Sequence, residues 1–134
     1  MNFRSPIQVP GVTVLAEQGL KVCVSISTGI VRVRPKLPGQ MPAQASLSLQ
    51  MLKRRKLYVR SSRIGDRISP FGLTGSKKLQ DVFVDGKVPR EVRNAIPLLE
   101  CGREIIWVPG YRIARGWEVK SESYPALQVL VERL

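Results

Sequence analysis

The pattern of apolar and polar residues predicts β-strands near the start of the chain. Residues 20–26 (LKVCVSI) alternate strictly between apolar and polar side chains, which is the pattern of a strand with one buried face. Residues 7–14 (IQVPGVTV) show a weaker alternation. Because a turn at Glu17-Gln18-Gly19 separates these segments, residues 7–27 are predicted to form two strands joined as a hairpin.

The middle of the chain mixes short strands with irregular connections. Residues 30–34 (IVRVR) and 57–60 (LYVR) are predicted strands. Residues 35–44 contain three prolines and one glycine, which indicates an irregular connection. Residues 45–52 (ASLSLQML) suit a strand or a helix equally well, since their first leucines alternate while Gln and Met favour a helix.

The last third of the chain returns to strand patterns. Residues 98–108 are predicted to form a hairpin around a Cys101-Gly102-Arg103 turn. Further strands are predicted at residues 111–114, 117–120 and 127–131. Trp107 and Trp117 are expected to belong to the core rather than to stack on nucleic-acid bases.

Residues 63–93 combine turn residues with one amphipathic segment, and we expect the functional surface here. Glycines and Pro70 exclude long regular structure up to residue 75. Asp66 is predicted to fix a turn by accepting hydrogen bonds from backbone N–H groups two residues further on. Arg67 could pair with Asp66 or bind a phosphate, and the sequence leaves both open.

Two short helices are predicted within this stretch. Ser76 is the candidate N-cap of a helix over residues 77–85, whose apolar residues share one face. Gly86 is expected to end this helix. Pro89 is then expected to occupy the first position of a second short helix.

Positive charge is the strongest functional signal. The chain has 22 basic and 10 acidic residues, a net charge of +12, and +8 of this falls within residues 53–93. Such clustering favours nucleic acid as the partner, because a basic surface attracts polyanions. The run Lys53-Arg54-Arg55-Lys56 suits a solvated turn or a phosphate contact equally well.

Cations at the two predicted helices are the candidate contacts. Lys77 and Lys78 would lie in a first helical turn, where the helix dipole disfavours cations unless an anion neutralises them. The alternative is that they only solubilise the helix. Arg90 and Arg93 would share one face of the second helix. The candidate RNA-binding residues are Lys77, Lys78, Arg90, Arg93, Arg63 and Arg67.

The sequence argues against an active site in this chain. It contains no histidine, and its two cysteines, Cys23 and Cys101, are expected to be small buried residues. Neither a phosphate-binding Walker loop nor a G-x-S-x-G motif occurs, and Asp81 and Asp85 fit charge balance. No apolar run is long enough for a membrane span and no signal peptide is evident, so a single cytoplasmic domain over residues 1–134 is expected.

Several short runs between residues 65 and 114 carry a resemblance to a known family. They are GDRI at 65–68, GSKKLQD at 75–81, FVD at 83–85, KVPR at 87–90, IWVPG at 106–110 and RIA at 112–114. They resemble the C-terminal domain of bacterial tRNA(Ile)-lysidine synthetases, with the specific part covering residues 63–114. The resemblance implies an α+β fold, a small β-sandwich-like domain with two short helices, similar to a domain of the phenylalanyl-tRNA synthetase beta subunit.

The resemblance also implies a role. Enzymes of this family use ATP and Mg to attach lysine to the wobble cytidine of isoleucine tRNA, while the C-terminal domain helps to hold the tRNA on its acceptor-stem side. The family's catalytic half begins with a Ser-Gly-Gly-x-Asp-Ser loop, which is absent here. The chain is therefore expected to be a fragment, or a gene product without the ATP-binding half, with no cofactor and no activity alone. Its expected partners are tRNA and the enzyme's catalytic domain, and the alternative is a module that docks on the other domains without touching RNA.

Overall fold

The computed structural model describes residues 2–33, 35 and 37–134. The strands are β1 (Arg4–Pro6), β2 (Gly11–Leu15), β3 (Leu20–Thr28), β4 (Arg32–Val33), β5 (Ala43–Ser48), β6 (Leu57–Arg60), β7 (Arg67–Ile68), β8 (Lys77–Lys78), β9 (Leu98–Cys101), β10 (Glu104–Trp107) and β11 (Pro125–Arg133). The α-helices are α1 (Leu49–Leu52) and α2 (Leu79–Asp85), and 3-10 helices span Ala16–Gln18 and Arg90–Ala95. Arg34, at the end of the predicted strand 30–34, lies outside the described residues.

A five-stranded antiparallel sheet forms the first layer of the domain. Its strand order is β2-β3-β11-β5-β4, so the last strand lies at its centre and pairs with β3 over nine positions. The predicted hairpin is confirmed: β2 and β3 are joined through the 3-10 turn and Gly19, whose φ of 65° suits glycine. The predicted buried face holds at Leu20, Val22 and Val24, whereas Ile26 is exposed at the far end of β3.

A four-stranded sheet in the order β1-β6-β9-β10 forms the second layer. The predicted hairpin over residues 98–108 is confirmed as β9 and β10. The strands predicted at 111–114 and 117–120 are wrong, because the first segment forms only isolated bridges, such as Trp107 with Ile113, and the second contains no β-structure. Gly110 and Gly116 have positive φ angles of 81° and 93°, which break any continuous ladder.

The two sheets enclose one apolar core. Both tryptophans are buried in it, as predicted, with Trp107 2% and Trp117 0% exposed. The indole N–H of Trp117 donates to Oε1 of Glu104 at 3.0 Å, so its polar end is satisfied. Helix α2 adds Leu79, Val82 and Phe83 to the same core, which confirms the predicted apolar face. Each such burial contributes roughly 1.5–3 kcal/mol. The α+β, sandwich-like fold is confirmed.

The segments with ambiguous patterns resolve in two ways. Residues 45–52, which suited a strand or a helix, form a strand followed by a helix, since β5 ends at Ser48 and α1 begins at Leu49. The proline-rich connection packs against neighbouring turns: the Gly39 N–H donates to the carbonyl of Pro109 at 2.7 Å, and Pro38 lies where a side chain on Gly86 would be. Among the described residues, no helix is long and apolar enough to cross a membrane.

Candidate nucleic-acid interface

Strands β7 and β8 form a two-stranded sheet that places two cations opposite each other. Arg67 pairs with Lys78 in this register, and both residues are exposed. Ile68 pairs with Lys77 and is buried, so the other face of the pair packs on the core. Directly opposite side chains are about 4.5–5.5 Å apart at Cβ, and like charges there are destabilising. The outward face of this pair therefore carries two like charges directly opposite each other.

The position of the two lysines corrects the predicted helix start. Lys77 and Lys78 form β8, and α2 begins only at Leu79. Lys78 occupies the N-cap position with extended backbone, and no side chain caps the helix. The pairing with β7 replaces the predicted Ser76 cap, because the N–H of Leu79 donates to the carbonyl of Asp66 at 2.9 Å.

Lys77 is engaged within the protein. Its Nζ lies 2.6 Å from Oδ2 of Asp85, at the other end of α2, and this hydrogen bond raises the pKa of Lys77 above its ordinary value. This ion pair confirms the interpretation of Asp85 as charge balance. Lys78 is consequently the lysine that remains for a ligand, since none of the ion pairs between described residues involves it.

Two arginines from the C-terminal third of the chain hold the loop that connects β7 to β8. We call residues 70–76 of this connection the clamped loop. Nη1 of Arg112 donates to the carbonyl of Phe71 at 3.3 Å, and Nη2 of Arg115 donates to the carbonyls of Leu73 and Gly75, each at 2.7 Å. Backbone bonds add to this, because the N–H of Phe71 donates to the carbonyl of Ile113 at 2.9 Å. The loop backbone is therefore fixed by its neighbours.

Three guanidinium groups meet at the clamped loop. Nε of Arg67 donates to the hydroxyl of Ser76 at 2.8 Å, while Arg115 binds the carbonyl of the preceding residue, Gly75. Within the protein, Arg67 thus binds Ser76 and does not pair with Asp66, and its contact with a phosphate stays a prediction. Arg112 and Arg115 are exposed, and each guanidinium has five N–H donors, so each keeps donors for a further acceptor.

A second basic group lies where a turn meets the 3-10 helix. The hydroxyl of Ser62 donates to Oδ1 of Asn94 at 3.2 Å, which places the turn containing Arg63 beside the helix containing Arg90. Arg63 and Arg90 are exposed. Arg93 folds back instead, since its Nε and Nη2 donate to the carbonyl of Val88 at 3.1 and 2.9 Å.

A buried ion-pair network supports both basic groups. Arg60 is 3% exposed, and its guanidinium binds Oε2 of Glu100 at 2.6 Å and both oxygens of Asp66 at 2.9 and 3.0 Å. Asp66 also accepts from the backbone N–H of Arg63 at 2.6 Å, so it fixes its turn backwards, where the sequence predicted a forward bond. Arg4 donates to Oε1 of Glu100 at 3.0 Å from strand β1.

Burial and hydrogen bonding shift the pKa values of Arg60 and Glu100 in opposite directions. Burial alone would raise the pKa of Glu100, but the hydrogen bonds from Arg60 and Arg4 outweigh it and hold that pKa below its ordinary value. Likewise, burial would lower the pKa of Arg60, and its bonds to Asp66 and Glu100 raise it instead. Arg60 and Glu100 are therefore both charged at neutral pH, and the network anchors the turn that carries Arg63.

Within the run Lys53-Arg54-Arg55-Lys56, only Arg55 has a structural role that the contacts between described residues define. Arg55 donates from Nε to the carbonyl of Leu52 at 3.1 Å and lies over the ring of Trp117 at 5.7 Å, so it supports the end of α1. The other three side chains are exposed. Both interpretations of this run, solvated turn and phosphate contact, stay open for them.

Sequence reasoning missed Arg60, Arg112 and Arg115. Arg60 gave no signal, because its carboxylate partners lie 6 and 40 positions away. Arg112 and Arg115 carried a weak signal, a pair of arginines three positions apart beyond the basic stretch that ends at Arg93. Within the described part of the chain, no three Cys, Asp or Glu residues come together as a metal site would require.

This fold and this surface define a basic, two-sheet α+β domain with an exposed loop whose backbone is held by two arginines. Residues 57–129 match the family model described as TilS substrate C-terminal domain. Since this match covers more than half of the chain, the chain belongs to that family. The resemblance found in the sequence is thereby confirmed.

Individual relatives agree with this assignment. The tRNA(Ile)-lysidine synthase of Symbiobacterium thermophilum is 37% identical over 132 residues, which cover 96% of this chain and 26% of that protein. That of Caldanaerobacter subterraneus subsp. tengcongensis is 43% identical over 74 residues, covering 55% of this chain and 16% of that protein. The chain thus spans about a quarter of the first relative. A solved structure described as "Crystal structure of TILS C-terminal domain" superimposes with a TM-score of 0.80 at 21% identity, covers 100% of this chain and 98% of its own, and shows the same fold.

Proposed function

We propose that this domain binds the backbone of isoleucine tRNA, on its acceptor-stem side, for a tRNA(Ile)-lysidine synthase. The relatives are named for that tRNA, and this chain corresponds to a part of them. Under this proposal, the lysine-attaching chemistry, with its ATP and Mg, belongs to the catalytic domain of the same cytoplasmic enzyme. The present chain contributes affinity and orientation.

The observation that carries the proposal is the unneutralised cation pair Arg67–Lys78 beside the clamped loop. Like charges directly opposite each other weaken a strand pair, and this one has only two residues per strand. A phosphate between the two side chains would convert that repulsion into two charge-assisted contacts. Arg112 and Arg115 add donors along the same loop, so under this proposal they contact neighbouring phosphates.

The remaining sequence candidates divide into two roles under this proposal. Arg63 and Arg90 extend the basic surface, because both are exposed and the Ser62–Asn94 contact brings their segments together. Lys77 and Arg93 act indirectly, since Asp85 and the Val88 carbonyl already bind them. Duplex RNA offers mainly shape, phosphates and 2′-hydroxyls, so the contact has little sequence preference.

A matched pair of variants tests the proposal. Arg67→Ala/Lys78→Ala removes two positive charges at the site, and Arg103→Ala/Arg133→Ala removes two from a hairpin turn and a strand end outside it. Binding of a fluorescent tRNA(Ile) transcript to the 134-residue chain is measured by anisotropy at low salt. We expect the first variant to bind at least tenfold more weakly and the second to stay within about twofold of wild type. Equal losses in both variants would contradict the proposed site.

The alternative is a module that docks on the enzyme's other domains without RNA contact. It predicts that the isolated chain has no measurable affinity for tRNA even at low salt. It also predicts that the Arg67/Lys78 variant leaves the tRNA affinity of the full-length enzyme unchanged. The same anisotropy measurement on both proteins therefore separates the two functions.

A further inference from the structure

One exposed aromatic residue lies within the basic surface. Phe71 is 41% exposed at the start of the clamped loop, although the other phenylalanines and both tryptophans are buried or half-buried. Tyr124 is the other exposed aromatic side chain among the described residues, and it lies in a different loop. Leu73 in the same loop is also 41% exposed, so the loop presents apolar surface between cations, a combination that suits a ligand with both an apolar face and negative charge.

The backbone under Phe71 is unusually well held for a surface loop. Its N–H donates to the carbonyl of Ile113, and its own carbonyl accepts from Arg112. Gly72 follows with a φ of 88°, a conformation that favours glycine, and a side chain there would approach Nη1 of Arg112 to 3.3 Å. Glycine at position 72 thus permits the turn that follows Phe71 and leaves room for Arg112 close to the backbone.

We propose that Phe71 is a stacking platform for an unpaired base of the bound RNA. An aromatic ring bordered by guanidinium and ammonium groups is the combination by which proteins bind single strands, the ring taking the base and the cations taking its phosphates. Arg112 and Arg115 bind the backbone carbonyls of Phe71 and Leu73 in this loop, and Arg67 and Lys78 lie in the two strands that the loop connects. Trp107 and Trp117 are buried and do not serve this purpose.

This inference rests on the proposed RNA-binding function and adds a ligand class to it. The clamped loop takes a single-stranded nucleotide next to the duplex that the cations hold. Base–aromatic stacking contributes a several-fold to about hundredfold gain in affinity per base. The gain depends on the base itself and not on the charge of the strand, which makes it separable from phosphate binding.

The test compares two strands of equal charge on the 134-residue chain. One is an eight-nucleotide oligoadenylate, and the other is an eight-unit abasic ribose-phosphate strand. Wild type is expected to prefer the strand with bases by at least fivefold. Phe71→Ala and Phe71→Leu should abolish this preference, and Phe71→Trp should retain it. Val84→Ala, which shortens an exposed apolar side chain on α2, is the matched control and should leave the preference unchanged.

The outcomes separate this inference from the proposed function. If wild type binds tRNA but shows no preference for bases, or if Phe71→Ala keeps the preference, the stacking role is contradicted while RNA binding stands. If Phe71→Leu keeps the preference, the ring is an apolar contact and the stacking role is likewise contradicted. If wild type binds neither tRNA nor either strand at low salt, the proposed function itself fails.

Discussion

Arg67 lies directly opposite Lys78 across a strand pair of only two residues, and neither side chain takes part in an ion pair among the described residues. The repulsion between the two charges lowers the stability of the fold, and their combined positive potential raises its affinity for anions. A site whose charges oppose folding is expected where a ligand supplies the missing counter-charge. Stability and RNA binding should therefore respond in opposite directions when one of these charges is removed.

Replacing Lys78 should show that trade-off. Lys78→Gln keeps the length of the side chain, adds no favoured helix cap at this N-cap position and removes the repulsion, so the free energy of unfolding should rise by about 0.2–1 kcal/mol at low salt. The gain should vanish in 1 M salt, where the Debye length is about 3 Å. Urea denaturation at both salt concentrations measures this, with Lys120→Gln as an exposed loop control. A less stable Lys78→Gln protein would contradict the proposed strain.

Removing Arg115 should loosen the clamped loop. Arg115→Ala deletes the two hydrogen bonds to the carbonyls of Leu73 and Gly75, and hydrogen bonds to charged groups hold such a loop more firmly than neutral ones. Hydrogen exchange of the amides of residues 71–76 should become faster, while exchange in β3 and β11 stays unchanged. Arg103→Ala is the control. Unchanged exchange in the loop would show that the backbone bonds suffice.

The parts of the fold that depend on local patterns were predictable from the sequence. The β2–β3 hairpin, the β9–β10 hairpin and the apolar face of α2 each arise from residues close in the chain. The start of α2 was not predictable, because Ser76 and the two lysines after it fit the capped first turn of a helix as well as they fit a short strand. Pairing with β7 decided the outcome, and such a pairing of two-residue strands leaves almost no pattern.

The candidate site was predictable in charge but not in arrangement. The basic stretch pointed to the surface where exposed cations cluster, yet the partners of each cation within the protein decide which of them are available to a ligand. Asp85 engages Lys77 from the far end of a helix, and Arg112 and Arg115 join the loop from about 40 positions away. Long-range contacts of this kind follow from packing of the two sheets. The likeness to the phenylalanyl-tRNA synthetase domain stays a prediction.

Glu100 should make stability depend on acid pH. Because its pKa is held below the ordinary 4.5, it contributes fully above about pH 4.5, and this contribution is lost as the pH falls through the lower folded-state pKa. Glu100→Gln leaves Arg60 only partly compensated, so it should lower the unfolding free energy at pH 7 by about 3 kcal/mol. The difference from wild type should shrink below pH 4.5.

Urea denaturation at a series of pH values checks this, and the exposed Glu122→Gln serves as the control. A difference between wild type and Glu100→Gln that stays constant down to pH 3 would show that Glu100 acts through shape rather than charge. A difference near zero at pH 7 would show that the network adds nothing to stability.

The two cysteines should differ in reactivity. Cys101 is 1% exposed and burial raises the pKa of its thiol, which keeps it protonated and inaccessible, whereas Cys23 is half-buried on the open face of the five-stranded sheet. A thiol reagent at pH 8 should modify one thiol per folded chain and two in denaturant. Cys23→Ser should abolish the reaction of the folded chain. Rapid modification of that variant would place Cys101 at the surface.

The salt dependence of tRNA binding tests the central claim most directly. Each phosphate contact adds about one to the slope of log affinity against log salt concentration. Wild type, Arg67→Ala/Lys78→Ala and Arg103→Ala/Arg133→Ala are titrated with tRNA(Ile) over a salt series. The site variant should have a slope smaller by about two, and the control variant should keep the wild-type slope. A site variant with the wild-type slope would show that Arg67 and Lys78 do not bind phosphates.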